Sequence, residues 1–178
     1  MSRRISRELA LQALFQIDFN AESVETALSC AEALYRDLEE KGRSTQVEAA
    51  QKEQLAKEEK VELEDIELEP VNDPVLVGAN ELQSSLEYAD ALLKGVLSNQ
   101  AAIDEKISAS SIDWKLTRMP ATDRNLMRIA TYEMFFAEEK IDYAIAINEA
   151  VELAKIYGTK DSARFVNGLL GKMTRKND

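Results

Sequence analysis

Arg3-Arg4-Ile5-Ser6-Arg7-Glu8-Leu9-Ala10-Leu11-Gln12-Ala13-Leu14-Phe15-Gln16-Ile17 is a helix written with two apolar faces. Leu9, Ala10, Ala13, Leu14 and Ile17 recur at the i, i+3, i+4, i+7 spacing that turns one stripe of a helix toward a core. At about 100° per residue, Leu11 and Phe15 fall away from that stripe, on the side of Arg4 and close to Arg7. Two readings of this second face stand open. It is packed internally, or it meets a partner beside a cationic end.

Working outward, the same periodicity repeats. A helix over about 24–38 offers Ala27, Leu28, Ala31, Ala33, Leu34 and Leu38 for burial. From Glu81 the stripe Leu82, Leu86, Ala89, Leu93, Val96, Leu97 predicts another, and Ile103 with Ile107 a shorter one. Trp114 lies in the connection that follows and reads as a core plug. Pro120 precedes Ala121-Thr122-Asp123, a hydroxyl and a carboxylate suited to a first helical turn, and the helix runs on through Leu126, Met127, Ile129, Ala130 and Met134. Asp142 can cap the next helix, in which Ile147, Ala150, Val151 and Ala154 face inward before Gly158 stops it. Asp161 or Ser162 starts the last, through Phe165, Val166, Leu169 and Leu170. The expectation is an all-α bundle of about seven helices.

Composition agrees. The chain has 178 residues, one domain's worth, and Gly and Pro together number 9 while helix formers dominate. Asp and Glu total 33 against 22 Lys and Arg, a formal charge of −11. Residues 39–70 hold eleven acidic and five basic side chains and no aromatics. This region, bounded as 39–74, reads as a charged insertion within a single domain spanning 1–178, either a solvated helix or a disordered loop.

The chain has no histidine, so a His-ligated metal site is ruled out, and no metal or cofactor is expected. The single cysteine, Cys30, forms no intrachain disulfide and reads as a small core residue. No apolar run approaches the roughly 18 residues that span a bilayer, and no signal-peptide core follows the first charges, so a cytoplasmic protein is expected. Gly168-Leu169-Leu170-Gly171 matches a GXXG spacing, but its apolar centre inside a helical run points to helix packing. The cations are clustered: Arg3, Arg4 and Arg7 at one end, Arg164, Lys172, Arg175 and Lys176 at the other. Guanidinium groups on a helical face suit phosphates, each contact gaining affinity through counterion release.

Three stretches resemble one family. Arg3 to Phe15 resembles the opening helix of the NusB transcription antitermination factors. Asp123-Arg124-Asn125-Leu126-Met127-Arg128-Ile129-Ala130-Thr131-Tyr132-Glu133-Met134 is similar to their central motif. Ala146-Ile147-Asn148-Glu149-Ala150-Val151-Glu152-Leu153-Ala154-Lys155, followed by Asp161-Ser162 and Phe165-Val166-Asn167-Gly168, is similar to their signature. The resemblance covers residues 3–38 and 81–172. It implies two three-helix subdomains around a shared core, with an additional short helix.

It also implies binding of a boxA-type RNA together with NusE, a small-subunit ribosomal protein, so that the transcribing RNA polymerase complex reads through terminators during ribosomal RNA synthesis. The RNA contacts it implies are Arg3, Arg4, Arg7, Asp161 and Phe165, to which Arg164 is added for its charge. The partner contacts are Phe15 and Asp123, joined by Leu11 from the second face of the first helix. Phe165 can stack on a base or fill the core. A NusB-like module also fronts some RNA cytosine methyltransferases, but that reading requires a methyl-donor domain after Asp178, so an enzyme is not expected. A protein-only adaptor is the other alternative.

Overall fold

The computed structural model describes residues 3–38, 40, 79–111 and 115–175. The acidic insertion, apart from residue 40, and the reading of Trp114 lie outside the described residues. What is described is helical, with no strand among it.

Helix α1, Arg3–Asn20, ends where Ala21 turns left-handed at φ 52°, its N–H donating to the Ile17 carbonyl at 3.1 Å. Ser23 then caps α2, residues 24–38, its hydroxyl accepting from the Thr26 N–H at 3.2 Å. Helices α3, Ala79–Ser98, and α4, Gln100–Ser110, follow almost without a break. A 3₁₀ turn at Leu116–Arg118 leads into α5, Ala121–Thr131. The helix widens into a π turn over Tyr132–Phe136 before α6, Tyr143–Tyr157, and α7, Ser162–Arg175.

α1 packs on α3 and α5, while α6 and α7 pack on each other and on the far side of α5. Helix α5 is therefore the axle of the molecule. Leu126, Met127, Ile129 and Ala130 are fully buried, and so are Asn125, Arg128 and Thr131. From Asn125 to Thr131 the helix is enclosed on every side and needs no solvent face. Each large apolar side chain sealed this way contributes about 1.5–3 kcal/mol relative to exposure. The polar residues of α5 stay inside because they are partnered. Arg128 makes a fork to Asp104 of α4 at 2.8 and 2.8 Å and reaches Asp18 of α1, which also receives Arg124 at 2.9 Å. Three helices are tied by one ionic cluster.

Two expectations for α2 are corrected. Ala27, Ala31 and Tyr35 make its buried stripe, whereas Leu34 and Leu38 are exposed and Cys30 stands in solvent rather than in the core. Asp142 does cap α6, its Oδ1 accepting from the Ala144 N–H at 2.9 Å. Gly158 does end it, but in extended backbone; glycine is required because a Cβ there would lie 2.4 Å from Ser162 Cβ. Leu169 and Leu170 of the GXXG stretch are buried in α7.

Candidate nucleic-acid and partner interface

The first turns of α1 meet the first turns of α6. Between them lies an open cleft of about 420 Å³ lined by Arg3, Arg4, Arg7, Lys140, Ile141, Asp142, Ile145 and Glu149. Arg3 is exposed, its guanidinium 5.6 Å from the centre of the Tyr88 ring, within reach of a cation–π attraction. Arg4 is half-exposed, with Nη2 3.8 Å from Glu152 Oε2. Lys155, and to a lesser degree Arg4, hold the Glu152 carboxyl below its usual range.

Arg7 is different. It is 3% exposed, its Nε donates to both Glu133 oxygens at 3.1 and 2.9 Å, and its Nη1 reaches Glu149 at 3.3 Å. Tyr88 donates to Glu133 Oε1 at 2.9 Å, and burial followed by the Glu133 charge pushes its phenol up to about 12. Nε and Nη1 of Arg7 are thus held in a buried ion pair across the core while its Nη2 has no hydrogen-bond partner among the described residues, so Arg7 forms the floor of the cleft rather than its exposed rim. Removing one partner of such a pair costs about 3–5 kcal/mol, because the other charge is left buried alone.

Farther along α1, Phe15 and Phe19 stack at 4.6 Å between ring centroids and are 42% and 65% exposed. Leu11, expected among the partner contacts, is buried in the free chain. The second face of α1 is thus divided, its middle covered and its end bare. Asp123, in the first turn of α5, is likewise buried in the free chain rather than presented at its surface, and its Oδ1 has no hydrogen-bond partner. Burial raises its pKa, and the Ser162 hydroxyl draws it partly back.

At the start of α7, Asp161 and Arg164 are exposed and Phe165 is half-buried against the core. None of the three lines the α1–α6 cleft. Sequence reasoning brought out Arg3, Arg4 and Phe15, all on the surface here. It missed Lys140, Phe19, Glu149 and Glu152. Phe19 is four residues after Phe15, a helical spacing that was there to be read; Lys140 follows Glu138 and Glu139, which hide it in any count of local charge. Among the described residues, no group of three or more Cys, Asp or Glu is placed to hold a metal, and no helix is long and apolar enough to cross a membrane.

A helical bundle with a cationic notch at one end of its first helix and bare aromatics at the other has the features of a binding module. The chain belongs to the NusB family, whose pattern matches residues 40–175. It is 59% identical over 88 residues to the transcription antitermination protein NusB of Bdellovibrio bacteriovorus, a match over 49% of this chain and 65% of that relative. It is 36% identical to the same protein of Pelotomaculum thermopropionicum, covering 97% of this chain and 89% of that one. T. maritima NusB has the same fold, with a TM-score of 0.65 and 28% identity over 99% of this chain and 92% of its own. A chain from a crystal structure of antitermination factors NusB and NusE in complex with dsRNA, 17% identical, shares the fold at a TM-score of 0.61, covering 98% of this chain and 96% of that one.

Proposed function

We propose that this chain is a transcription antitermination factor that binds a boxA-type RNA jointly with NusE, through the α1–α6 cleft and the Phe15–Phe19 patch. The observation that carries the reading is the placement of exposed Arg3 and Arg4 at one end of α1 and the stacked, exposed Phe15 and Phe19 near its other end. One rigid helix then offers phosphates a cationic cleft and a protein an aromatic surface. Family membership supports it, and a fold neighbour is known in complex with NusE and RNA. Asp161, Arg164 and Phe165 are secondary RNA candidates. Asp123, buried beneath the surface, belongs to partner binding only if NusE uncovers it. The mode of action is adhesion rather than catalysis, in the cytoplasm, on the transcribing RNA polymerase complex.

Titration of a labelled boxA oligonucleotide, with and without NusE, tests this. Arg4→Ala is expected to weaken RNA binding and flatten its salt dependence, and Phe15→Ala to weaken NusE association while leaving RNA binding near the parent's. Parent-like behaviour of both variants toward both partners refutes the assignment. The Arg4–Glu152 ion pair favours one second reading, a protein-only adaptor whose arginine is already spoken for. NusE binding without any salt-dependent RNA binding would establish it.

A further inference from the structure

The cleft carries four cations and two carboxylates along its walls, in a chain of net charge −11. The carboxylates are engaged. Asp142 accepts from the helix N–H of Ala144, and Glu149 faces Arg7, itself held by Glu133. The capping hydrogen bond leaves Asp142 its charge, so four cations against two carboxylates give the lining a net +2, and the cations that face solvent are Arg3, Arg4 and Lys140. Among these, Arg3 rests over Tyr88 and Arg4 is shared with Glu152, whereas Lys140 is exposed and forms no ion pair among the described residues.

Lys140 is also held in place. Its neighbour Ile141 donates its N–H to the Glu133 carbonyl at 3.0 Å and packs against the core, and Asp142, one residue later, caps α6. The short segment between the π turn and α6 is thus pinned directly after the lysine, and before it the Ala137 N–H donates to the Tyr132 carbonyl at 2.9 Å. Exposed Ile145, in the first turn of α6, adds an apolar wall to the same cleft.

We propose that Lys140 is a third phosphate-gripping cation of the RNA site, so that the sugar–phosphate backbone of a single strand enters the cleft between α1 and the segment preceding α6 instead of lying along α1 alone. This rests on the RNA-binding reading above. The test is fluorescence anisotropy of a single-stranded boxA oligonucleotide over a salt series with the full chain. Lys140→Ala is expected to weaken binding several-fold and to flatten the slope of log K against log salt by about 0.7, the value for one phosphate contact on a single strand. Lys140→Arg should keep both near the parent's. Lys115→Ala removes the same charge at an exposed site outside the cleft and should leave the slope unchanged.

Arg4→Ala, run alongside, separates the two levels of the argument. If Arg4→Ala weakens binding while Lys140→Ala behaves like Lys115→Ala, the lysine's role is refuted and the RNA reading stands. If neither Arg4→Ala nor Lys140→Ala matters, the RNA reading itself falls. An effect of Lys140→Ala on NusE association with RNA binding intact also overturns the proposal. Unchanged thermal melting of the variant is expected, since Lys140 buries nothing.

Discussion

Asp123 shows how a single carboxylate reports on its surroundings. Burial raises its pKa, so the folded chain holds the proton more tightly than the unfolded one does. The stability linked to that proton is fully present below the ordinary carboxylate value of about 3.9 and is lost as pH rises through the raised folded value. At neutral pH the charged form is a cost, and Asp123→Asn is expected to raise Tm, by about 2–4 °C for each kcal/mol relieved in a chain of this size. Scanning calorimetry from pH 7 downward checks it: the gain should fade on acidification, and a variant less stable than the parent at pH 7 would refute it. Residue type alone misplaced Asp123 and Arg7. Charged side chains read as surface, and what draws Arg7 inward is Glu133, 126 residues away, a pairing no local pattern announces.

At the scale of elements, glycine separates what a helix needs from what it tolerates. A Cβ at Gly95 would sit 2.1 Å from the Tyr132 ring, where α3 crosses the π turn; Gly168 has nothing within 4 Å. Gly95→Ala gains about 1 kcal/mol of helix propensity but must displace a ring, a strain of about 1–3 kcal/mol. A net loss is expected there, against a gain of about 1 kcal/mol for Gly168→Ala, both read from urea midpoints at constant m. Equal shifts in the two variants would contradict this. The helices themselves were legible because the apolar spacing of α1, α3, α5, α6 and α7 is strict and Pro120, Asp142 and Gly158 mark ends of α5 and α6. α2 was only half legible. It carries two apolar strips, Ala27–Ala31–Tyr35 and Leu34–Leu38, and periodicity does not say which one a neighbour covers. The π turn has no sequence period of its own, yet it brings Glu133 beneath Arg7 and Tyr88.

For the molecule as a whole, charge and shape act in opposite directions. The chain is acidic, so its affinity for a polyanion depends on a local cluster within about 8 Å, the screening length at physiological ionic strength. With Arg3, Arg4 and Lys140 each meeting one phosphate, log K should fall with log salt at a slope of about −2. A slope near zero would mean that phosphates are not what the cleft recognises. The cleft was invisible in the sequence because its two walls, residues 3–7 and 140–149, are more than 130 residues apart along the chain. The buried anchor at Arg7 has a consequence for how such a strand would dock. Because Arg7 clamps the first turns of α1 to Glu133 and Glu149, the turn that displays Arg3 and Arg4 is rigid before any ligand arrives. The conformational entropy lost on association then falls on the flexible nucleic acid, and the protein behaves as a preorganised mould.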